Sequence, residues 1–260
     1  MWLAIDIGNT NTVIGLYDPE PVRQRHHWRV SSDQDRTADE VTLLLDQLLR
    51  AAGAGTEEFE GAVIGSVVPA LSQAYRKALE TVLGRQPVEV SSRLDLDLTI
   101  GLRHPEQIGA DRLANAVAAR QRYRGPVIVV DFGTATTFDV ISAAGEYLGG
   151  AIAPGVRTSA RDLFSRAARL PRFVEIRKPP AVIGKTTEES IQSGLFYGTI
   201  GQVDEIVRRI AEQLGEPATV VATGGLALLI APGSKTIAEV CPDLTLIGLV
   251  LIGKRTVTSG

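Results

Sequence analysis

Three aspartates in this chain stand where a carboxylate could handle a phosphate, a metal ion or a proton. Asp6 closes an apolar run and is followed by Ile7-Gly8-Asn9-Thr10-Asn11-Thr12-Val13. Gly8 permits close backbone approach to a ligand, and the Asn/Thr run offers N–H and hydroxyl donors suited to phosphate oxygens. The same composition also makes an ordinary β-hairpin turn. Asp131 repeats the arrangement in Asp131-Phe132-Gly133-Thr134-Ala135-Thr136-Thr137. Asp6, Gly8 and Thr12 match Asp131, Gly133 and Thr137 at a constant offset of 125 residues. Asp111, in Gly109-Ala110-Asp111-Arg112, opens a helical pattern. There it is either an N-cap or a general base that takes the proton of a hydroxyl attacking a γ-phosphate. Arg112 could orient an anionic substrate group or pair with a surface carboxylate.

Two Asp-headed turns on facing halves would form a cleft for a nucleoside triphosphate. Mg²⁺ binds through one or two carboxylates plus water and phosphate oxygens, which suits such turns. Phosphoryl transfer asks mainly for positioning and charge neutralisation. In Thr223-Gly224-Gly225, two glycines after a strand allow close approach of an adenine ring, and a left-handed turn explains them equally; Gly149-Gly150 carries the same ambiguity. Neither a Gly-x-x-x-x-Gly-Lys-Ser/Thr loop nor a Gly-x-Gly-x-x-Gly fingerprint occurs.

The elements that must position these residues follow from periodicity. Trp2 to Ile7, Val13 to Tyr17 and Val22 to Val30 read as strands, the third polar on at least one face. Thr37 with Glu40 forms a capping box for a helix that ends at Gly53. Ala62 to Val68 has the look of a buried parallel strand, Leu71 to Leu83 of a helix stopped by Gly84, and Val88 to Val90 of a strand. After the Gly109 helix, Pro126 to Asp131, Phe138 to Ile141 and Tyr147 to Ala153 repeat the three-strand start. A helix through Ala160, Leu163, Phe164 and Ala167 comes next, then a loop from Pro171 to Pro180. A long helix is expected from Thr187, with candidate breaks at Gly194, Gly198 and Gly201, and a strand from Thr219 to Ala222. An antiparallel start followed by alternating elements predicts a mixed α/β sheet, and the half-chain repeat predicts two similar domains. The expected division is residues 1–117 and 118–260.

Composition narrows the function classes. With 27 basic and 30 acidic residues and a net charge of −3, the chain has no basic footprint for nucleic acid or an anionic membrane. One cysteine, Cys241, cannot form an intramolecular disulfide, and a reducing compartment is expected. The N-terminus lacks a basic leader region, and the apolar run Leu244 to Ile252 is short of the ~20 residues that span a bilayer. A cytoplasmic protein is expected. His26, His27 and His104 lack zinc-site spacing. Arg166, Arg169, Arg172, Arg177 and Lys178 read as a solvated basic loop.

Taken in order, these motifs support a resemblance. Asp6-Ile7-Gly8-Asn9-Thr10 resembles the first phosphate motif of the acetate and sugar kinase/Hsp70/actin superfamily. Together with Gly109-Ala110-Asp111-Arg112, Asp131 to Thr137, Gly149-Gly150-Ala151-Ile152-Ala153-Pro154-Gly155 and Thr223-Gly224-Gly225, it is similar to type III pantothenate kinase over nearly the whole chain. The resemblance implies two ribonuclease-H-like domains, each a mixed five-stranded sheet with helices, flanking a nucleotide cleft. It implies ATP-dependent phosphorylation of pantothenate to 4′-phosphopantothenate, the first step of coenzyme A synthesis, by a homodimer using Mg²⁺ and a monovalent cation, K⁺ or NH₄⁺. Carried over, Asp6 to Val13, Thr134, Gly224 and Gly225 contact ATP, and Asp6 serves Mg²⁺. Asp111 is the base, Gly109 to Arg112 and Thr187 contact pantothenate, and Asp131 holds the monovalent cation. One departure is Leu102, where many members carry a tyrosine, so that hydroxyl contact is absent or supplied from elsewhere. A kinase for another small hydroxy compound and a non-catalytic nucleotide sensor of the same fold are the alternatives.

Overall fold

The computed structural model describes residues 1–167 and 170–258; Arg169 of the basic run lies outside them. Two compact units emerge: Met1–Gln121 together with Leu244–Gly260, and Arg122–Asp243.

In the first unit, β1 (Trp2–Ile7), β2 (Asn11–Pro19) and β3 (Val22–Ser31) form an antiparallel meander. Helix α1 (Ala38–Ala51), β4 (Gly61–Ser66), α2 (Pro69–Leu83) and β5 (Val88–Glu89) then give the sheet order β3-β2-β1-β4-β5. The expected capping box is present: Thr37 Oγ1 accepts from Glu40 N, and Glu40 Oε2 accepts from Thr37 N at 2.7 Å. Alternation in β1 and β2 divides the side chains between two faces. Leu3, Ile5, Ile7, Ile14 and Leu16 enter a core with Val41, Leu45 and Leu49 of α1 and Leu71, Tyr75 and Leu79 of α2. Trp2, Asp6 and Gly15 point the other way. A short strand, β6 (Thr99–Ile100), precedes α3 (Ala110–Arg122).

The second unit repeats the meander with β7 (Val127–Phe132), β8 (Ala135–Ile141) and β9 (Glu146–Pro154), followed by α4 (Val156–Arg166) and α5 (Thr187–Leu214). Then come β10 (Thr219–Thr223), α6 (Ala227–Ile230) and β11 (Glu239–Val240), and within this unit the strands run β11-β10-β7-β8-β9. Ile128, Val130, Phe132 and Phe138 pack against Phe196, Ile200, Val203 and Val207 of α5. Two mixed sheets with helices, built on one plan, are therefore present as the sequence predicts. Helix α5 is continuous over 28 residues, without the anticipated breaks. Gly194, Gly198 and Gly201 lie on its exposed side, where an added Cβ would meet nothing within 4 Å.

The division differs from 1–117 and 118–260 in one element. Helix α7 (Leu244–Thr258) packs on β1 and β4 and so belongs to the first unit. It buries Leu244, Leu246, Leu249, Val250 and Ile252, each worth about 1.5–3 kcal/mol when removed from water. Glycines let it approach closely: Gly253 lies against Trp2, Gly15 meets Leu246, and Gly65 meets Leu249. Among the described residues no helix is long and apolar enough to cross a membrane.

Candidate active site

The Asp6 turn is a tight hairpin. Asp6 pairs with Val13 and Ile7 with Thr12, leaving Gly8 to Asn11 as the connection, and Gly8 N donates to Asn11 O at 3.1 Å. Asn9 and Thr10 are exposed at the tip, and Asp6 and Val13 are half-buried. A Cβ on Gly8 would stand 3.1 Å from Asn11 O, so the glycine serves a close approach. Thr12 faces the other way from Asp6. It is fully buried, its Oγ1 lies 2.9 Å from Ser32 Oγ, and Ser32 N donates to Thr10 O at 3.1 Å. Burial pushes the Tyr75 phenol up, while hydrogen bonds with Thr12 and Arg36 pull it back down. Ser32, Arg36 and Tyr75 thus buttress the turn from behind, and no sequence motif pointed to them.

Asp111 lies on the same side of the sheet as Asp6. In the ladder Asp6 is opposite Gly65 of β4, and a Cβ on Gly65 would come within 3.6 Å of Ala110 Cβ at the start of α3. The N-terminal turn of α3 therefore abuts the strand next to Asp6. Helix α3 begins at Ala110, which makes Asp111 its second residue and not its N-cap. Asp111 Oδ1 accepts from Arg112 N at 2.9 Å and folds back over Gly109. Oδ2 takes no hydrogen bond from any described residue. A half-buried carboxylate in a first helical turn, with one oxygen fixed and one open, has the form a general base needs. Asp6 and Arg112 both have further partners.

The Asp131 turn is similar but one residue shorter. Asp131 pairs with Thr137 and Phe132 with Thr136, enclosing Gly133 to Ala135, and Gly133 N donates to Ala135 O at 3.0 Å. By ladder position the partner of Thr12 is Thr136, also buried, and not Thr137 as the constant offset indicates. Glycines wall the carboxylate. Gly224 has φ +89, and a Cβ there would strike Asp131 Oδ1 and sit 2.7 Å from Phe132 N. A Cβ on Gly133 would be 3.6 Å from the same oxygen. Both explanations of Gly224, a left-handed turn and a close approach, hold at once. Thr134 O accepts from Gly155 N at 3.1 Å and from Thr158 Oγ1 at 2.7 Å, anchoring the turn to the start of α4. Gly149 and Gly150 serve the sheet: Gly149 has φ +107 opposite the register shift at Val140/Ile141, and a Cβ on Gly150 would run into Phe138 O.

Thr187 is exposed as the first residue of α5. Thr186, also exposed, is the N-cap and its hydroxyl accepts from Glu189 N at 3.1 Å, so Thr187 is the one of the two whose hydroxyl is not used in the cap. Among the described residues no group of three or more His, Cys, Asp or Glu could cage a metal.

Known proteins share the fold and, in some cases, about half of the sequence. The family model for type III pantothenate kinase matches residues 2–209. A type III pantothenate kinase from Syntrophotalea carbinolica is 49% identical over 255 residues, covering 98% of this chain and 99% of the relative. At 16% identity, the ethanolamine utilization protein EutJ from Carboxydothermus hydrogenoformans superposes with a TM-score of 0.57, covering 96% of this chain and 89% of that one. A ROK family glucokinase from Streptomyces griseus, solved with glucose and AMPPNP, gives 0.52 at 15% identity, covering 97% and 99%. The structural likenesses show a fold shared with these proteins, and the sequence matches go further: the chain belongs to the type III pantothenate kinase family.

Proposed function

We propose that this protein transfers the γ-phosphoryl group of ATP to the hydroxyl of pantothenate, giving 4′-phosphopantothenate and opening coenzyme A synthesis. The observation that carries this is the family match, joined to an α3 turn that offers an open carboxylate oxygen on the Asp6 side of the sheet. Asp111 Oδ2 takes the proton as the hydroxyl attacks, and the Arg112 guanidinium orients the pantothenate carboxylate with Gly109, Ala110 and Thr187. Asp6 to Val13, Thr134, Gly224 and Gly225 receive ATP, the glycines by main-chain approach. Thr12 contributes through its backbone, since its hydroxyl is engaged with Ser32.

Asp6, half-buried at the mouth of the Asn/Thr turn, is the carboxylate that would hold Mg²⁺, an ion bound through one or two carboxylates together with waters and phosphate oxygens. Held there, the ion would supply charge neutralisation for the phosphates. Asp131, walled by Gly133 and Gly224, fits a monovalent cation, K⁺ or NH₄⁺. The protein works as a homodimer, which light scattering coupled to size exclusion tests directly.

The activity test mixes protein, ATP, Mg²⁺, K⁺ and a panel of hydroxyl acceptors and reads products by mass spectrometry. Phosphorylation confined to pantothenate is the expected result. No product with either K⁺ or NH₄⁺ rejects the assignment, and preference for a sugar transfers it to another kinase specificity.

A further inference from the structure

The one-residue difference between the two hairpins places a hydroxyl in front of only one aspartate. Opposite Asp6 on β2 stands Val13, whereas opposite Asp131 on β8 stands Thr137. Directly opposed residues of an antiparallel pair share a face, with Cβ atoms about 4.5–5.5 Å apart. Thr137 therefore lies beside the Asp131 carboxylate, where the first unit has only a valine.

Two residues further along β8, on the same face, Asp139 is fully buried. Thr137 Oγ1 donates to Asp139 Oδ2 at 3.3 Å, and the Tyr147 hydroxyl donates to Asp139 Oδ1 at 2.6 Å. A threonine hydroxyl has one proton and two lone pairs. With the proton committed to Asp139, it can offer only lone pairs to whatever sits near Asp131. That makes it an acceptor or a cation ligand, and unsuited to donating to a phosphate. Carboxylate and hydroxyl oxygens together are a donor set for a hard cation. At Gly133 and Gly224 only main chain stands against Asp131 Oδ1, since a Cβ on Gly224 would strike that oxygen and one on Gly133 would lie 3.6 Å from it.

We propose that Thr137 is a second oxygen ligand of the monovalent cation at Asp131, and that Asp139 is the positioning residue that fixes its proton. This rests on the assignment of that cation to Asp131, and goes beyond it by naming the hydroxyl that distinguishes the second turn from the first. A buried carboxylate is costly unless it is well hydrogen-bonded, so its place beneath the turn asks for a purpose that a neutral residue would not serve.

The test follows thermal unfolding while K⁺ is titrated against choline at constant ionic strength, with Mg²⁺ and AMPPNP present so that phosphate oxygens are available. Thr137→Val preserves shape and removes the hydroxyl, and should raise the half-saturating K⁺ concentration by about tenfold or more, the scale on which supporting groups alter metal affinity. Thr137→Ser should stay near wild type, and Asp139→Asn should shift in the same direction as Thr137→Val. If the valine variant does not fold, Thr137→Ala repeats the deletion. Wild-type half-saturation in a folded Thr137→Val, with the response abolished in Asp131→Ala, overturns the inference alone. An unchanged response in Asp131→Ala, or none in the wild type, overturns the Asp131 assignment and this inference with it.

Discussion

Asp6 and Thr12 belong to one hairpin but serve opposite faces of its sheet. Asp6 looks toward Gly65 and the α3 turn, while Thr12 is sealed against Ser32 and Tyr75. A turn with the phosphate-binding role proposed for it needs both, one group to meet the ligand side and another to keep the loop from yielding. Asp111 divides the same labour within one side chain: Oδ1 is held by Arg112 N, and Oδ2 is open. Asp111→Asn should preserve that backbone hydrogen bond and the helix start, and remove the basic oxygen. Turnover is then expected to fall by about 10²–10⁴-fold, the usual share of general base catalysis, with nucleotide affinity unchanged. ADP release for turnover and calorimetric titration with AMPPNP separate the two effects. Turnover near wild type would leave Asp111 with only a first-turn dipole role.

At the scale of elements, glycine illustrates how identical residues carry opposite consequences. Gly248 of α7 lies where a Cβ would run into the main-chain carbonyl of Ala114 in α3, a rigid neighbour. Gly201 of α5 has open space around the same position. Gly248→Ala should therefore destabilise by about 1–3 kcal/mol through overpacking. Gly201→Ala should stabilise by about 0.5–1 kcal/mol, because a helix interior favours alanine. Urea denaturation of the two variants checks both signs, and equal shifts would contradict the packing described for α7. Sequence periodicity made the hairpins, the capping box at Thr37 and Glu40 and the repeated meander legible, since these are local patterns. It misread α5 because glycines weaken a helix without breaking one whose other face is anchored by Phe196, Ile200, Val203 and Val207. It also paired Thr12 with Thr137, because adjacent threonines at 136 and 137 hide a one-residue shortening that only the ladder register reveals. The return of α7 to the first unit was invisible for a different reason: an apolar helix does not state which sheet it will cover. Asp139 was missed because a carboxylate within a strand has no motif, and only its burial and its Tyr147 contact make it notable.

The whole molecule carries one cysteine, which makes its stability open to a chemical measurement. Cys241 is buried at the end of β11, three residues before α7 begins. Burial first, and then the nearby Asp243 carboxylate, push its thiol from 9.0 up to about 11. The thiolate is the reactive species, so native protein at pH 8 should react with a disulfide reagent such as DTNB far more slowly than protein unfolded in guanidinium. Loss of the second unit's native structure should release the thiol at once, and the labelling rate in moderate denaturant then follows the opening free energy. The sign of the pH effect follows from the same shift. A thiol whose folded value is raised stabilises the native state fully below its unfolded value and loses that contribution as pH climbs from about 9 toward about 11. Denaturation midpoints should thus fall over that alkaline window, and Cys241→Ser should flatten the part of the fall that belongs to the thiol. Rapid labelling of the native protein at pH 8 would show that β11 opens on its own, without unfolding of the sheet that carries Asp131 and Gly224.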